Sequence, residues 1–189
     1  MRVIAGRFRG RTLHAVRGLK VRPSADRVKE SLFNILAPRI TGARFLDLFA
    51  GTGSIGIEAL SRGAAEALFV EQDRDALRCL QRNLEACRLE QGFEVIRQPV
   101  ARALRELDTQ GCRLDLVFLD PPYQADLYSS TLELLGAGNL VAADGWVVAE
   151  HDRRMELAAE SGCLGMFRTR RIGDTTLSFF SRAAEQEDH

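Results

Sequence analysis

The chain has 189 residues, 46% of them hydrophobic and 28% charged, with 16 Gly and 5 Pro; that is one domain's length, apolar enough for a full core, and it excludes disorder, collagen and coiled coil. Mean hydropathy is −0.13 and the longest apolar runs are strand-sized, so no segment reads as a membrane span. Net charge is zero but polarised: residues 1–30 hold nine basic groups against Asp26 and Glu30, net +7, and the remainder holds 17 against 24, net −7. A basic arm on an acidic body points to a polyanionic partner, most simply nucleic acid. Because Arg2, Arg7, Arg9, Arg11, Arg17 and Lys20 are separated by no apolar block, the opening does not read as a signal peptide, and the cytoplasm is the expected compartment.

Residues 3–6 and 12–16 read as two short strands joined by the basic stretch 7–11, a hairpin within an arm over residues 1–22. Ser24 is a good N-cap for a helix over 24–39, with Val28, Leu32, Ile35 and Leu36 on one face. Strand patterns then fall at 44–49, 67–71, 93–97, 114–119 and 146–150, and helix patterns at 54–62, 73–87, 100–107 and 126–135. The strands are near-continuous apolar runs, as parallel strands covered on both faces require. Residues 166–172 and 175–181 are separated only by Gly173-Asp174, which suits a tight antiparallel turn. The expected fold is a Rossmann-like α/β methyltransferase domain over 23–184, its mostly parallel sheet ending in an antiparallel hairpin, followed by a polar tail at 185–189. Cys79, Cys87, Cys112 and Cys163 form no C-x-x-C pair, and no histidine stands at ligand spacing, so no metal is expected.

After the first sheet strand comes Ala50-Gly51-Thr52-Gly53-Ser54-Ile55-Gly56, a G-x-G-x-x-G pattern between strand and helix, with Glu71 twenty residues beyond Gly51. Such glycines let backbone approach a ligand, the helix start offers free N–H groups, and an acid closing the second strand can accept from both ribose hydroxyls. An NAD dehydrogenase offers the same pattern. Asp47, three residues before Ala50, favours a cofactor carrying an ammonium and a sulfonium over one carrying a pyrophosphate: S-adenosylmethionine.

The strand at 114–119 ends in Asp120-Pro121-Pro122-Tyr123. Both prolines lack an N–H and stiffen the turn, so Asp120 and a nearby carbonyl stand as two fixed acceptors. Two acceptors match the two N–H bonds of an exocyclic amino group. Tyr123 offers a flat face for an extruded base, worth ~1–3 kcal/mol per base. Guanine N2 and adenine N6 fit this description equally, and a non-catalytic RNA-binding assembly factor would need neither the acceptors nor the glycine loop.

These motifs, with Arg2-Val-Ile-Ala-Gly-Arg-Phe-Arg-Gly-Arg-Thr-Leu and Arg22-Pro-Ser-Ala-Asp-Arg-Val-Lys-Glu-Ser-Leu-Phe-Asn, resemble the RsmD family of bacterial methyltransferases that act on the N2 of one guanine in 16S ribosomal RNA. The resemblance covers nearly the whole chain. It implies S-adenosylmethionine contacts from Asp47, Ala50, Gly51, Thr52, Gly53, Ser54, Glu71 and Val100, and catalytic parts for Asp120, Pro121 and Tyr123. It further implies RNA contacts from Arg7, Arg9, Arg11 and Arg22, and a substrate that is an assembling small subunit.

Overall fold

The computed structural model describes residues 1–16, 25–122 and 125–183. Ser24, Arg22, Tyr123 and the tail at 185–189 therefore lie outside the described residues. One eight-stranded sheet has the order β3-β2-β1-β4-β5-β8-β7-β6, formed by β1 (Arg44–Leu48), β2 (Glu66–Val70), β3 (Phe93–Ile96), β4 (Leu114–Leu119), β5 (Val141–Asp152), β6 (Glu160–Ser161), β7 (Leu164–Ile172) and β8 (Thr175–Arg182). The first five pair in parallel, and β8, β7 and β6 continue the sheet antiparallel. Helices α1 (Ala25–Leu36), α2 (Ser54–Ser61), α3 (Arg74–Ala86), α4 (Val100–Thr109) and α5 (Ala125–Ala137) complete it.

Period-two alternation divides the sheet between two cores. Phe45, Phe69, Phe118, Val148 and Phe179 face α1, α2 and α3; Leu46, Val70, Leu119, Val147 and Phe180 face α4 and α5. Strand order reverses at β1, between β2 and β4, so the loops leaving β1 and β4 diverge to opposite faces and open a crevice at the carboxyl edge. No helix of the described residues is long and apolar enough to cross a membrane.

Three local expectations are corrected. The first helix ends at Leu36 rather than at residue 39, with Pro38 in the turn beyond it. The fifth sheet strand begins at Val141, which pairs with Leu114; the register then jumps to Trp146 opposite Leu116, so residues 142–145 bulge out. That start is obscured by the polar Asp144-Gly145 pair inside the strand.

The N-terminal hairpin is reduced to a single antiparallel bridge, Arg2 to Thr12, and the segment is docked on the domain. Val3, Phe8 and Leu13 are buried in the core beneath α1 and α2. Glu58 on α2 is fully buried and accepts from Ile4 N at 2.8 Å and Ala5 N at 3.0 Å. Lys29 Nζ and Arg62 Nε complete its shell at 3.4 Å and 2.9 Å. Burial lowers the Lys29 ammonium pKa, against which Glu58 acts. Ser61 Oγ accepts from Phe8 N at 3.0 Å, and a Cβ on Gly6, whose φ is +81°, would meet Ser61 O at 1.8 Å.

Removing Glu58 leaves the Lys29 ammonium without its carboxylate and two amides without acceptors. Glu58→Ala is expected to destabilise the protein by about 3–5 kcal/mol, read by urea unfolding, with the Ile4 and Ala5 amides losing protection from hydrogen exchange.

Candidate active site

Helix α2 begins without a side-chain cap of the usual kind: its N-cap is Gly53, at φ +73° and ψ 15°. The capping acceptor comes instead from the strand before it. Asp47 on β1, 2% exposed, reaches Gly56 N with Oδ2 at 2.9 Å. Two glycines make that approach possible by packing: a Cβ on Gly56 would lie 2.3 Å from the Phe69 ring, and one on Gly53 would lie 2.1 Å from Leu80 Cδ1. Between strand and helix, Phe49 at φ +60° and Gly51 at φ +57° turn the backbone through the left-handed region. For Phe49 that conformation is strained, and strain of this kind is held only where the surroundings fix it.

Glu71, just beyond β2, fixes this loop. Its Oε2 accepts from Gly51 N at 2.8 Å, and its Oε1 accepts from Gln72 N and Asp73 N, both at 2.8 Å. An ionised carboxylate offers about four acceptor sites, so Oε2 keeps one for a ligand. Asp73 in turn caps α3, accepting from Asp75 N at 3.0 Å and Ala76 N at 2.9 Å. Buried Asn83 binds the loop to the N-terminal segment, donating from Nδ2 to Thr52 O at 2.9 Å and His14 O at 3.1 Å.

These elements enclose a cavity of about 570 Å³ at the carboxyl edges of β1, β2 and β4. Gly51, Thr52 and Glu71 form one side; Phe49, Val100, Leu127 and Leu134 are its apolar walls; Gln98 and Thr131 add polar atoms; and Asp120 with Pro122 stands at the rim. Asp120 is exposed, whereas Pro121 is buried.

Of the residues singled out in the sequence, Gly51, Thr52, Glu71, Val100 and Asp120 line the cavity. Asp47, Ala50, Gly53, Ser54 and Pro121 do not; Asp47 and Gly53 shape the loop from behind. Arg7 and Arg9 are exposed, on a turn tied by Arg7 N to Ser61 O at 2.8 Å. That is the end of α2 remote from the cavity, about 12 Å along the helix. Arg11 is half-buried and donates to Ala86 O, closing the carboxyl end of α3. Phe49, Gln98, Leu127, Thr131 and Leu134 carry no motif; only Phe49, directly after an apolar strand, adjoins one.

Burial holds the Asp47 carboxyl well above the usual carboxylate range; Asp120 and Glu71 push it further up, and the Gly56 N–H opposes them. The folded state thus holds this proton more tightly than the unfolded chain does. Stability is greatest while Asp47 is protonated and falls as pH rises from the unfolded value, about 3.9, through the folded one. Asp47→Asn keeps an acceptor for Gly56 N and removes the ionisation. The variant is expected to melt higher than the parent at neutral pH, with the difference shrinking as pH falls, as calorimetry from pH 4 to 8 will read.

The Conserved hypothetical protein 95 family matches residues 1–181. YlbH of Bacillus subtilis is 41% identical over 182 residues, covering 96% of this chain and 99% of that protein. Ribosomal RNA small subunit methyltransferase D of Escherichia coli (strain K12) is 34% identical over 187 residues, covering 99% and 92%. The solved structure of yhhF from Escherichia coli superposes with a TM-score of 0.85 at 32% identity, covering 98% and 99%. More distant solved structures that share the fold include methyltransferases described as SAM-dependent, and one was solved with SAH. With the glycine loop, the Asp120 turn and the N-terminal segment all inside a match that runs nearly end to end, the chain belongs to the Conserved hypothetical protein 95 family, the RsmD family of the resemblance.

Proposed function

We propose that this protein transfers a methyl group from S-adenosylmethionine to the exocyclic N2 of a guanine in 16S ribosomal RNA, on the assembling small subunit. The observation that carries this reading is the placement of Asp120, followed by two prolines, at the rim of the cavity that Glu71 and the glycine loop close from the other side. The relatives' rRNA methyltransferase names support the RNA substrate.

The cavity fits the cofactor by volume and by chemistry. About 570 Å³ lies within the range of small-molecule sites. The spare lone pair of Glu71 Oε2 suits a ribose hydroxyl, Gly51 and Thr52 present backbone, and Val100, Leu127 and Leu134 suit an adenine. Glu71 and Asp120 form an acidic surround for two cationic groups. Bound there, S-adenosylmethionine supplies an electrophilic methyl group and leaves as the neutral thioether.

The chain's own task is to prepare a poor nucleophile, since the guanine N2 lone pair is delocalised into the ring. Asp120 accepts one N–H of the amino group and a carbonyl of the proline turn the other, which favours a lone pair directed at the methyl. As the N–C bond forms and the C–S bond breaks, positive charge moves onto nitrogen, and the Asp120 hydrogen bond strengthens with it. The N–H proton turns acidic only then, and leaves to Asp120 or to water. Tyr123 is assigned the stacking face for the base.

Asp120→Ala is expected to cost less than ~1 kcal/mol of stability, because the side chain is exposed, yet to slow transfer by ~2–4 kcal/mol, about thirty- to a thousandfold. Asp120→Asn should lie between the two. Single-turnover transfer of labelled methyl to small-subunit particles measures this, and nucleoside mass spectrometry identifies the product; N6-methyladenosine in place of N2-methylguanosine would overturn the guanine assignment. For the N-terminal segment, Arg7→Ala with Arg9→Ala is expected to flatten the log–log salt dependence of particle binding by about 0.7–0.9 per lost phosphate contact, read by filter binding. Arg11, committed to Ala86 O, is expected to act on stability instead.

A further inference from the structure

A second basic surface lies apart from the N-terminal segment, in a groove of about 520 Å³ between α1 and β7. Arg27 on α1 and Arg168, Arg170 and Arg171 on β7 line it, against Glu30 as the single acid. Among the described residues, none of these four arginines forms an ion pair. Arg168 and Arg170 lie on the α1 side of the sheet: they pair with Phe179 and Leu177, both in the α1-facing core. Same-face neighbours on a strand stand ~6.5 Å apart, so the two guanidinium groups form a row.

Register connects this row to the reaction edge. Leu119 pairs with Ala149, Ala149 with Ser178, and Ser178 with Thr169. Asp120 and Arg170, each one residue further in the same direction, stand at the same height on the carboxyl edge. They are three strands apart, about 14 Å. The arm arginines, by contrast, sit at the opposite end of α2.

The remaining end of the row is aromatic. Between Met166 and Arg168 the pairing of β7 slips, and Phe167 is the extra residue, 46% exposed. Its ring packs on Trp146 at 5.0 Å and Phe179 at 6.3 Å. Arg39 covers Trp146 at 4.8 Å and Arg168 covers Phe179 at 5.9 Å. A groove lined by arginines that runs onto an open aromatic ring, Phe167 standing next to Arg168 at its end, is the composition that holds a single nucleic-acid strand, phosphates on the cations and a base on the ring.

We propose that the α1–β7 groove is an RNA track, in which Arg27, Arg168 and Arg170 hold phosphates of the strand flanking the target nucleotide and Phe167 stacks one of its bases. The inference rests on the rRNA methyltransferase reading and extends it to a residue-level contact surface. The track orients the strand so that a nucleotide at its carboxyl end is delivered to Asp120, which makes Arg168, Arg170 and Phe167 positioning residues for binding.

The test compares the wild type with Arg168→Ala/Arg170→Ala, Phe167→Ala and Phe167→Trp in three measurements: methyl transfer to small-subunit particles, filter binding of particles and of protein-free 16S RNA across a salt series, and calorimetric affinity for S-adenosylhomocysteine. The double variant is expected to raise KM for particles at least tenfold with kcat within twofold, and to flatten the salt slope by about 1.4–1.8 for two contacts. Phe167→Ala is expected to weaken RNA binding roughly five- to a hundredfold, and Phe167→Trp to restore it, with S-adenosylhomocysteine affinity unchanged in all three. Wild-type KM and salt slope in the double variant overturn the track and leave the methyltransferase reading intact. Binding lost to particles but kept to protein-free RNA also overturns it, because the occupant is then a ribosomal protein. If the wild type transfers no methyl while the arginine pair still sets the salt slope on RNA, the track stands and the methyltransferase reading falls.

Discussion

Helix α2 lies directly on the ring of Phe69 because position 56 has no side chain, and the geometry of the cavity follows from that approach. With the helix so close to β2, its first turn comes within reach of β1, and Asp47 can cap it at Gly56 N. A cap delivered from the strand leaves the loop itself free of capping side chains. That loop then turns back through two residues of positive φ, Phe49 and Gly51, and presents Gly51 N to Glu71. A bulkier residue at 56 would force helix and strand apart, and each of these bonds would lengthen in turn. The strain in Phe49 is therefore held by packing some distance from the ligand site.

The same helix carries the anchor for the N-terminal segment. Glu58 and Ser61 together engage Ile4 N, Ala5 N and Phe8 N, and the chain is carried from there past α3, where Asn83 holds His14 and Thr52 at once. Val16 consequently becomes part of the cavity wall. A stretch whose composition suggests a solvated arm is thus a structural layer over α2 and α3, with Arg2, Arg7 and Arg9 offered to solvent among its four described arginines and Arg11 half-buried. The reason is legible in hindsight from Val3, Phe8 and Leu13, apolar residues spaced five apart; that spacing belongs to neither helix nor strand, so periodicity passes over it.

Much of the fold is readable from residues 44–119, because parallel strands covered on both faces are continuous apolar runs and their crossovers are amphipathic. The reading loosens where tertiary geometry overrides local pattern, as at the bulge of residues 142–145 and the two-residue β6. For the site, positions that line the cavity through backbone or at strand ends, such as Gly51, Glu71 and Asp120, announce themselves by residue type. Leu127, Thr131 and Leu134 do not, since their place in the cavity depends on where the β4–α5 crossover lays α5 over the sheet. Asp47 shows the limit from the other side: its residue type is informative, but its carboxylate serves the helix behind the loop.

Charge is distributed so that the two halves of the proposed reaction do not compete. Glu71 and Asp120 line one cavity with the Asp47 carboxyl buried behind its loop, close enough that burial and their repulsion raise the Asp47 pKa, while exposed arginines stand outside the cavity, among them Arg27 on α1 and Arg168 and Arg170 on β7. On the proposed function, an RNA backbone is disfavoured in the acidic cavity, and the part of a nucleotide suited to enter it is the uncharged base. A cationic cofactor is favoured by the same field that excludes the phosphates. The polarity seen along the chain is thus not the polarity of the site: the basic N-terminal stretch lies at the far end of α2, and the arginines proposed to meet RNA beside the cavity come chiefly from β7, in the net-acidic remainder of the chain.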